Sequence, residues 1–287
     1  MPLFRRPDGD LVRDLPADRR MMQYLMPRRN DAAVYHEQNV DLGRTRPWLR
    51  AYNRARPGRV GTLFGLYLWA CGRALHEWPG INRFASGRRL YQRRGAFITF
   101  AAKQEMTDQA PFRMIKLEIP REEPFDAWTR RVAAAVGEAR GDALRPIDRE
   151  VALLTRLPGW LLRCVVAAGR WLDAVNLFPL SMIAPDPLFT SMVLSNIGSA
   201  GLEDAYHHLH EYGTASAFGM VGRPLKQLVA GRDGTPVVRV GLQVRWTADE
   251  RIADGLYFRR SLERIREIVE DPERHAGPPA PAGPTAP

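Results

Sequence analysis

The stretch 249-DERIADG-255 joins two segments of opposite periodicity, and that junction decides the architecture. Before it, 237-VVRVGLQVRWT-247 alternates apolar and polar residues over most of its length, as a strand with one face turned away from the core does. After it, Phe258, Leu262, Ile265 and Val269 are spaced 4, 3 and 4, the stripe of an amphipathic helix over 255–269. Asp254 stands where a helix N-cap belongs. The reading is strand, tight turn, helix.

Upstream, residues 60–78 form a helix-length run with apolar groups on most sides, ended by Pro79-Gly80. Residues 33–42, 96–102, 112–119 and 188–197 read as strands, 125–139 as a helix, and 148–175 as one or two helices broken at Pro158-Gly159. Strands and helices mix without βαβ regularity, which indicates an α+β chain rather than a doubly wound sheet. The expected organisation is a polar, Arg-rich arm over 1–30 that packs on something else, one domain over 31–273, and a disordered Ala/Pro/Gly-rich tail over 274–287.

The chain has 287 residues, a globular length and composition, and a net charge of +10. Its arginine pairs are scattered rather than clustered with aromatics on one element, which argues against a nucleic-acid partner. An anionic cofactor or membrane headgroups would use the same charge. Cys71 and Cys164 offer neither a disulfide framework nor metal-ligand spacing. The N-terminal residues carry no apolar run of a secretory signal, so a cytoplasmic location is expected.

Three segments in order resemble the catalytic domain of the dihydrolipoyl acyltransferases of 2-oxo acid dehydrogenase complexes, and more distantly chloramphenicol acetyltransferase. They are 60-VGTLFGLYLWACGRALHEWPGINRF-84, 190-TSMVLSNIGSAG-201, and 249-DERIADG-255 with its helix and the 270-EDPE-273 ending. The resemblance implies a chloramphenicol acetyltransferase-like α+β fold, a mixed sheet flanked by helices, that forms trimers with sites at subunit interfaces. Assembly of trimers into a cage is a further property of that family. Coenzyme A or acyl-CoA would enter such a site, and nothing would be bound covalently. No lipoyl lysine hairpin precedes the matching region, so a stand-alone domain is expected.

Carried over by position, Ser195 matches the serine that donates a hydrogen bond to the oxyanion, Asp254 the acid that supports the turn, and Arg251 and Gly255 also match. The family's catalytic histidine is replaced by Glu250. A histidine lies about two pKa units below a thiol, whereas a glutamate lies about four below, roughly 5.5 kcal/mol for complete proton transfer. Two readings follow. One is a catalytically impaired homo-oligomeric scaffold or acyl/CoA-binding protein, with the old channel plugged by side chains from 158–185. The other is an active acyltransferase that uses Glu250 or a nearby histidine as base.

The histidines near Ser195 in sequence are His207, His208 and His210, which also read as exposed groups of a polar loop. On any regular element His207 and His208 point apart, and no cysteine is near, so no metal site is expected. His36 and His76 are isolated and read as structural or surface groups.

Residues 153–189 are longer and more apolar than the matching link of the family. Trp160, Leu161, Val165, Ala168, Leu172 and Val175 fall on one helix face. Such a helix would cover the core or acyl channel, or, over 158–185, meet a protein partner or a membrane surface.

Overall fold

The computed structural model describes residues 5–58, 60–103, 112–141, 152–231 and 233–279. Its centre is a mixed sheet built on the strand read from the sequence, β10 (Pro236–Asp249). The inner half of β10 pairs with β2 (Ala33–Asp41) and β8 (Ala217–Val221), and the outer half with β9 (Leu225–Ala230). The sheet continues through β7 (Met192–Asn196), β5 (Phe97–Lys103) and β6 (Phe112–Glu118), in the order β2-β10-β8-β7-β5-β6. Pairs β5–β7 and β7–β8 are parallel and the others antiparallel. A second, three-stranded sheet joins β1 (Gly9–Leu11), β4 (Arg89–Arg93) and β3 (Arg83–Ser86).

Strand alternation divides the large sheet into two faces. Leu242, Val244, Trp246 and Ala248 of β10, with Met192 and Leu194 of β7, face the main core. There α3 (Leu63–Glu77) packs beside α7 (Gly255–Glu270). Helix α3 is apolar on most sides because it is enclosed, every residue from Gly65 to Leu75 except Arg73 being buried. Thr62 caps it by accepting from Gly65 N at 2.9 Å. Asp254 caps α7 in the same way, accepting from Tyr257 N at 2.7 Å. The opposite sheet face carries a smaller apolar cluster, Val193, Ile197, Leu209, Ala215, Phe218 and Met220.

Three readings from the sequence need correction. The N-terminal arm packs on its own chain: β1 joins the small sheet, and α1 (Ala17–Leu25) lies against the 249–255 turn. Its arginines find their partners far along the chain, Arg6 pairing with Asp173 at 2.7 Å. Second, residues 274–279 of the tail are docked, with Trp48 Nε1 donating to Gly277 O at 3.0 Å. Third, the helix within 153–189, α5 (Gly159–Ala174), has no buried residue, and its Leu172 packs on a small cluster of Phe178, Ile183 and Phe189 rather than on the main core. The elements between these, α2 (Thr45–Ala55), α4 (Phe125–Arg140) and the single turn α6 (Leu180–Ile183), complete the described helices used below. No helix among the described residues is long and apolar enough to cross a membrane.

Candidate functional site

Ser195 lies near the end of β7, opposite Met220 of β8, one pair beyond Leu194–Gly219. Alternation puts its side chain on the face of the small apolar cluster, away from the helices. The chain then turns sharply: Asn196 accepts from Ser199 N, and Ser199 Oγ donates to Asn196 O at 2.7 Å. A side chain at Gly198 would stand 2.4 Å from Gly222 O, so only glycine lets this turn close against the end of β8. Ser195 is half-buried, and among the described residues no hydrogen bond engages its hydroxyl.

Over the same face runs the irregular segment 202–212. It is held by residues far away in sequence. Arg29 donates through Nη1 to His210 O at 2.9 Å and through Nη2 to Gly213 O at 2.6 Å. Asn30 Nδ2 donates to Leu209 O at 2.8 Å, and Leu209 N donates to Asn30 Oδ1 at 3.0 Å. Leu209 thereby enters the apolar cluster.

This path gathers three imidazoles. His207 and His208 stack with centroids 4.5 Å apart, and His210 lies 5.5 Å from each. Expecting the first two to point apart assumed a regular element; the loop follows none. His207 also lies flat on Phe218, 4.0 Å away. Phe218 pairs with Val193, so Ser195 is its diagonal neighbour on the adjoining strand, about 7 Å away by strand geometry.

Hydrogen bonding fixes the tautomers. His207 Nδ1 contacts His208 O at 2.7 Å, and His208 Nδ1 contacts Leu209 O at 3.1 Å. A carbonyl only accepts, so each Nδ1 carries the proton and each neutral ring keeps its lone pair on Nε2. The His210 imidazole titrates below its ordinary value, because burial and then the neighbouring His207, His208 and Arg29 all disfavour its charged form. Among the described residues no group of three His, Cys, Asp or Glu is placed to hold a metal ion.

The Glu250 turn is built separately. Asp249 is fully buried and accepts from Arg251 Nε at 2.8 Å and Nη2 at 2.7 Å. Glu250 N donates to Ala32 O at 2.9 Å, and Glu250 O accepts from Arg19 Nη1 at 2.8 Å. Arg19 Nη2 also stands 3.8 Å from Asp254. Thus α1 lies at this turn, beside a pocket of about 140 Å³ lined by Arg19, Met22, His36, Glu250 and Asp254. His36 stacks on Phe258 at 5.0 Å, and burial lowers its pKa.

Within one chain Glu250 and Ser195 do not meet. Ser195 shares a row with Met220 and Arg245, and Glu250 lies five residues further along. That is about 17 Å along the strand.

The chain superposes on solved structures. The probable dihydrolipoamide acetyltransferase of Listeria monocytogenes superposes with a TM-score of 0.61 at 17% identity, over 92% of this chain and 95% of that one. The Azotobacter vinelandii dihydrolipoamide acetyltransferase gives 0.61 at 16%, over 92% and 93%. A chloramphenicol acetyltransferase gives 0.56 at 13%, over 91% and 99%. The fold is chloramphenicol acetyltransferase-like.

Residues 189–276 also match the family model of the 2-oxoacid dehydrogenases acyltransferase (catalytic domain). A search of curated proteins gives no match to this sequence. Ser195, the three histidines, Glu250 and Asp254 all fall inside the matched region. Phe218, Arg29 and Asn30, which surround the histidine loop, carry no signal in the sequence. These three position the imidazoles, and only long-range pairing reveals them.

Proposed function

We propose that the chain is an acyltransferase that moves an acyl group from a coenzyme A thioester to a thiol, with His207 as base and Ser195 as oxyanion donor. The observation that supports it is the His207 imidazole, its tautomer set by Nδ1 donation and its ring stacked on Phe218, the diagonal neighbour of Ser195. His207 Nε2 takes the thiol proton, and the thiolate sulfur attacks the thioester carbonyl carbon. The Ser195 Oγ–H donates to the resulting oxyanion. Collapse breaks the carbon–sulfur bond, and the departing coenzyme A thiolate receives the proton from the imidazolium.

In the Azotobacter enzyme a serine, a histidine and an asparagine have roles in the catalytic mechanism, the last two four residues apart. Glu250 and Asp254 have the same spacing, which supports placing Glu250 at the former base position. A histidine is the better base toward a thiol by about two pKa units, or roughly 3 kcal/mol. The active chain is a homotrimer on this reading, with cage assembly open to it. Exposed apolar groups on the β9–β10 hairpin, Leu228 and Val238, support such a contact between copies.

The second reading, an impaired acyl- or CoA-binding scaffold, draws on α1 lying against the Glu250 turn. The two separate in one assay of acetyl transfer from acetyl-CoA to dihydrolipoamide, run with calorimetric binding of coenzyme A. Turnover that falls about a hundredfold in Ser195→Ala supports the enzyme. Binding without turnover supports the scaffold, and neither binding nor turnover removes both.

A further inference from the structure

Helix α5 is exposed along most of its length. It runs about 24 Å over 16 residues, and none of them is buried. Trp160 and Trp171 are 68% and 61% exposed, values rarely seen for so large an apolar group on a free surface. Eleven residues apart, they lie on one side of the helix, three turns from each other. Arg163 and Arg170, seven apart, run along the adjacent flank, and Arg156 lies exposed in the turn before the helix starts.

The helix is fastened at its C-terminal end. Asp173 accepts from Arg6 Nη2 and from Ser86 Oγ, each at 2.7 Å. Gly87, in the left-handed region at φ +55°, sits where any side chain would stand 2.1 Å from Ala174 O. Asn176 follows at φ +66° and donates to Tyr91 Oη at 3.0 Å. The anchoring is specific, so the exposed face is held out by the fold. It also consumes the segment's only acid: between Ala152 and Met182 the remaining charges are Arg156, Arg163 and Arg170.

We infer that α5 is an interfacial helix that seats the protein on an anionic phospholipid surface. Tryptophan and arginine side by side suit that boundary, since indole rings settle at headgroup depth while guanidinium groups meet the phosphates. Further exposed apolar groups at the helix ends, Leu153, Leu177, Leu180 and Met182, widen the contact. Charge favours this occupant, because the exposed charges of the segment, Arg156, Arg163 and Arg170, are all of the sign that complements an anionic surface.

The test is co-sedimentation of the full chain with phosphatidylcholine vesicles, with and without phosphatidylserine, alongside sizing of the free protein. Binding is expected only with phosphatidylserine, and it weakens as salt is raised. It falls on the order of tenfold or more in Arg163→Glu/Arg170→Glu and in Trp160→Ser/Trp171→Ser. Equal sedimentation with both vesicle types, or none with either, overturns the inference. So does a change of oligomeric state in these variants with vesicle binding intact, which would assign the face to another copy. Because every altered side chain is exposed, the salt dependence of the wild type gives an independent readout should a variant express poorly.

Discussion

The His207 imidazole lies on the Phe218 ring with centroids 4.0 Å apart and planes 13° from parallel. Phe218 is itself buried between Val193 and Thr247 of the neighbouring strands, so the imidazole rests on a fixed surface. Phe218→Leu keeps the apolar volume but removes the flat support. Steady-state kinetics should show kcat falling about tenfold or more with KM little changed, because a misplaced base costs rate rather than binding. An equal fall in melting temperature and activity would instead mean that Phe218 matters only to packing.

The Asp249–Arg251 pair is a second fixed point. Both side chains are enclosed, at 0% and 5% exposure, and Arg251 also ties Met26 O to the turn. Asp249→Ala strands a buried guanidinium, which costs roughly 3–5 kcal/mol. Urea denaturation should show this loss directly, whereas the double change Asp249→Ala/Arg251→Met should recover much of it.

How much of this was legible depends on the range of the interactions. Strand β10, the Asp254 cap and α7 were readable because Val244, Trp246, Phe258 and Ile265 repeat at the strand and helix periods. The strand that carries Ser195 was readable within 188–197. Strand β8 was not, since Gly219 interrupts the apolar run 217-AFGMV-221. The arm looked detached because its charges pair across the fold, Arg6 with Asp173 and Arg94 with Asp10. The histidine cluster needed Arg29 and Asn30 to shape a loop 180 residues downstream, which no periodicity encodes. Helix α5 was legible as a helix, but its apolar residues suggested burial that the fold does not provide.

Lys116 gives a pH signature. Its ammonium donates to Ile183 O and Ala184 O, each at 3.0 Å, and burial, then Arg93, lowers its pKa to about 8. The folded value lies below the unfolded one, so between about pH 8 and 10.5 the unfolded chain binds more protons. Stability from this group therefore rises with pH through that window, and the penalty is complete below it. Thermal melts should show the rise in wild type and its loss in Lys116→Met.

The β9–β10 hairpin carries Leu228 at 71% and Val238 at 64% exposure, directly paired across the two strands. Replacing both with glutamate puts like charges opposite each other on a surface proposed to join copies. Light scattering should then report single chains where the wild type gives three. Circular dichroism should stay unchanged, since neither residue touches the main core.

The central claim is that proton transfer has moved from position 250 to His207. The direct measurement compares dihydrolipoamide acetylation by His207→Ala and Glu250→Ala under saturating acetyl-CoA, with and without added imidazole. A kcat loss of about 10²- to 10⁴-fold is expected in His207→Ala, partly restored by imidazole, with little change in Glu250→Ala. Loss in Glu250→Ala with His207→Ala as active as wild type would contradict the claim.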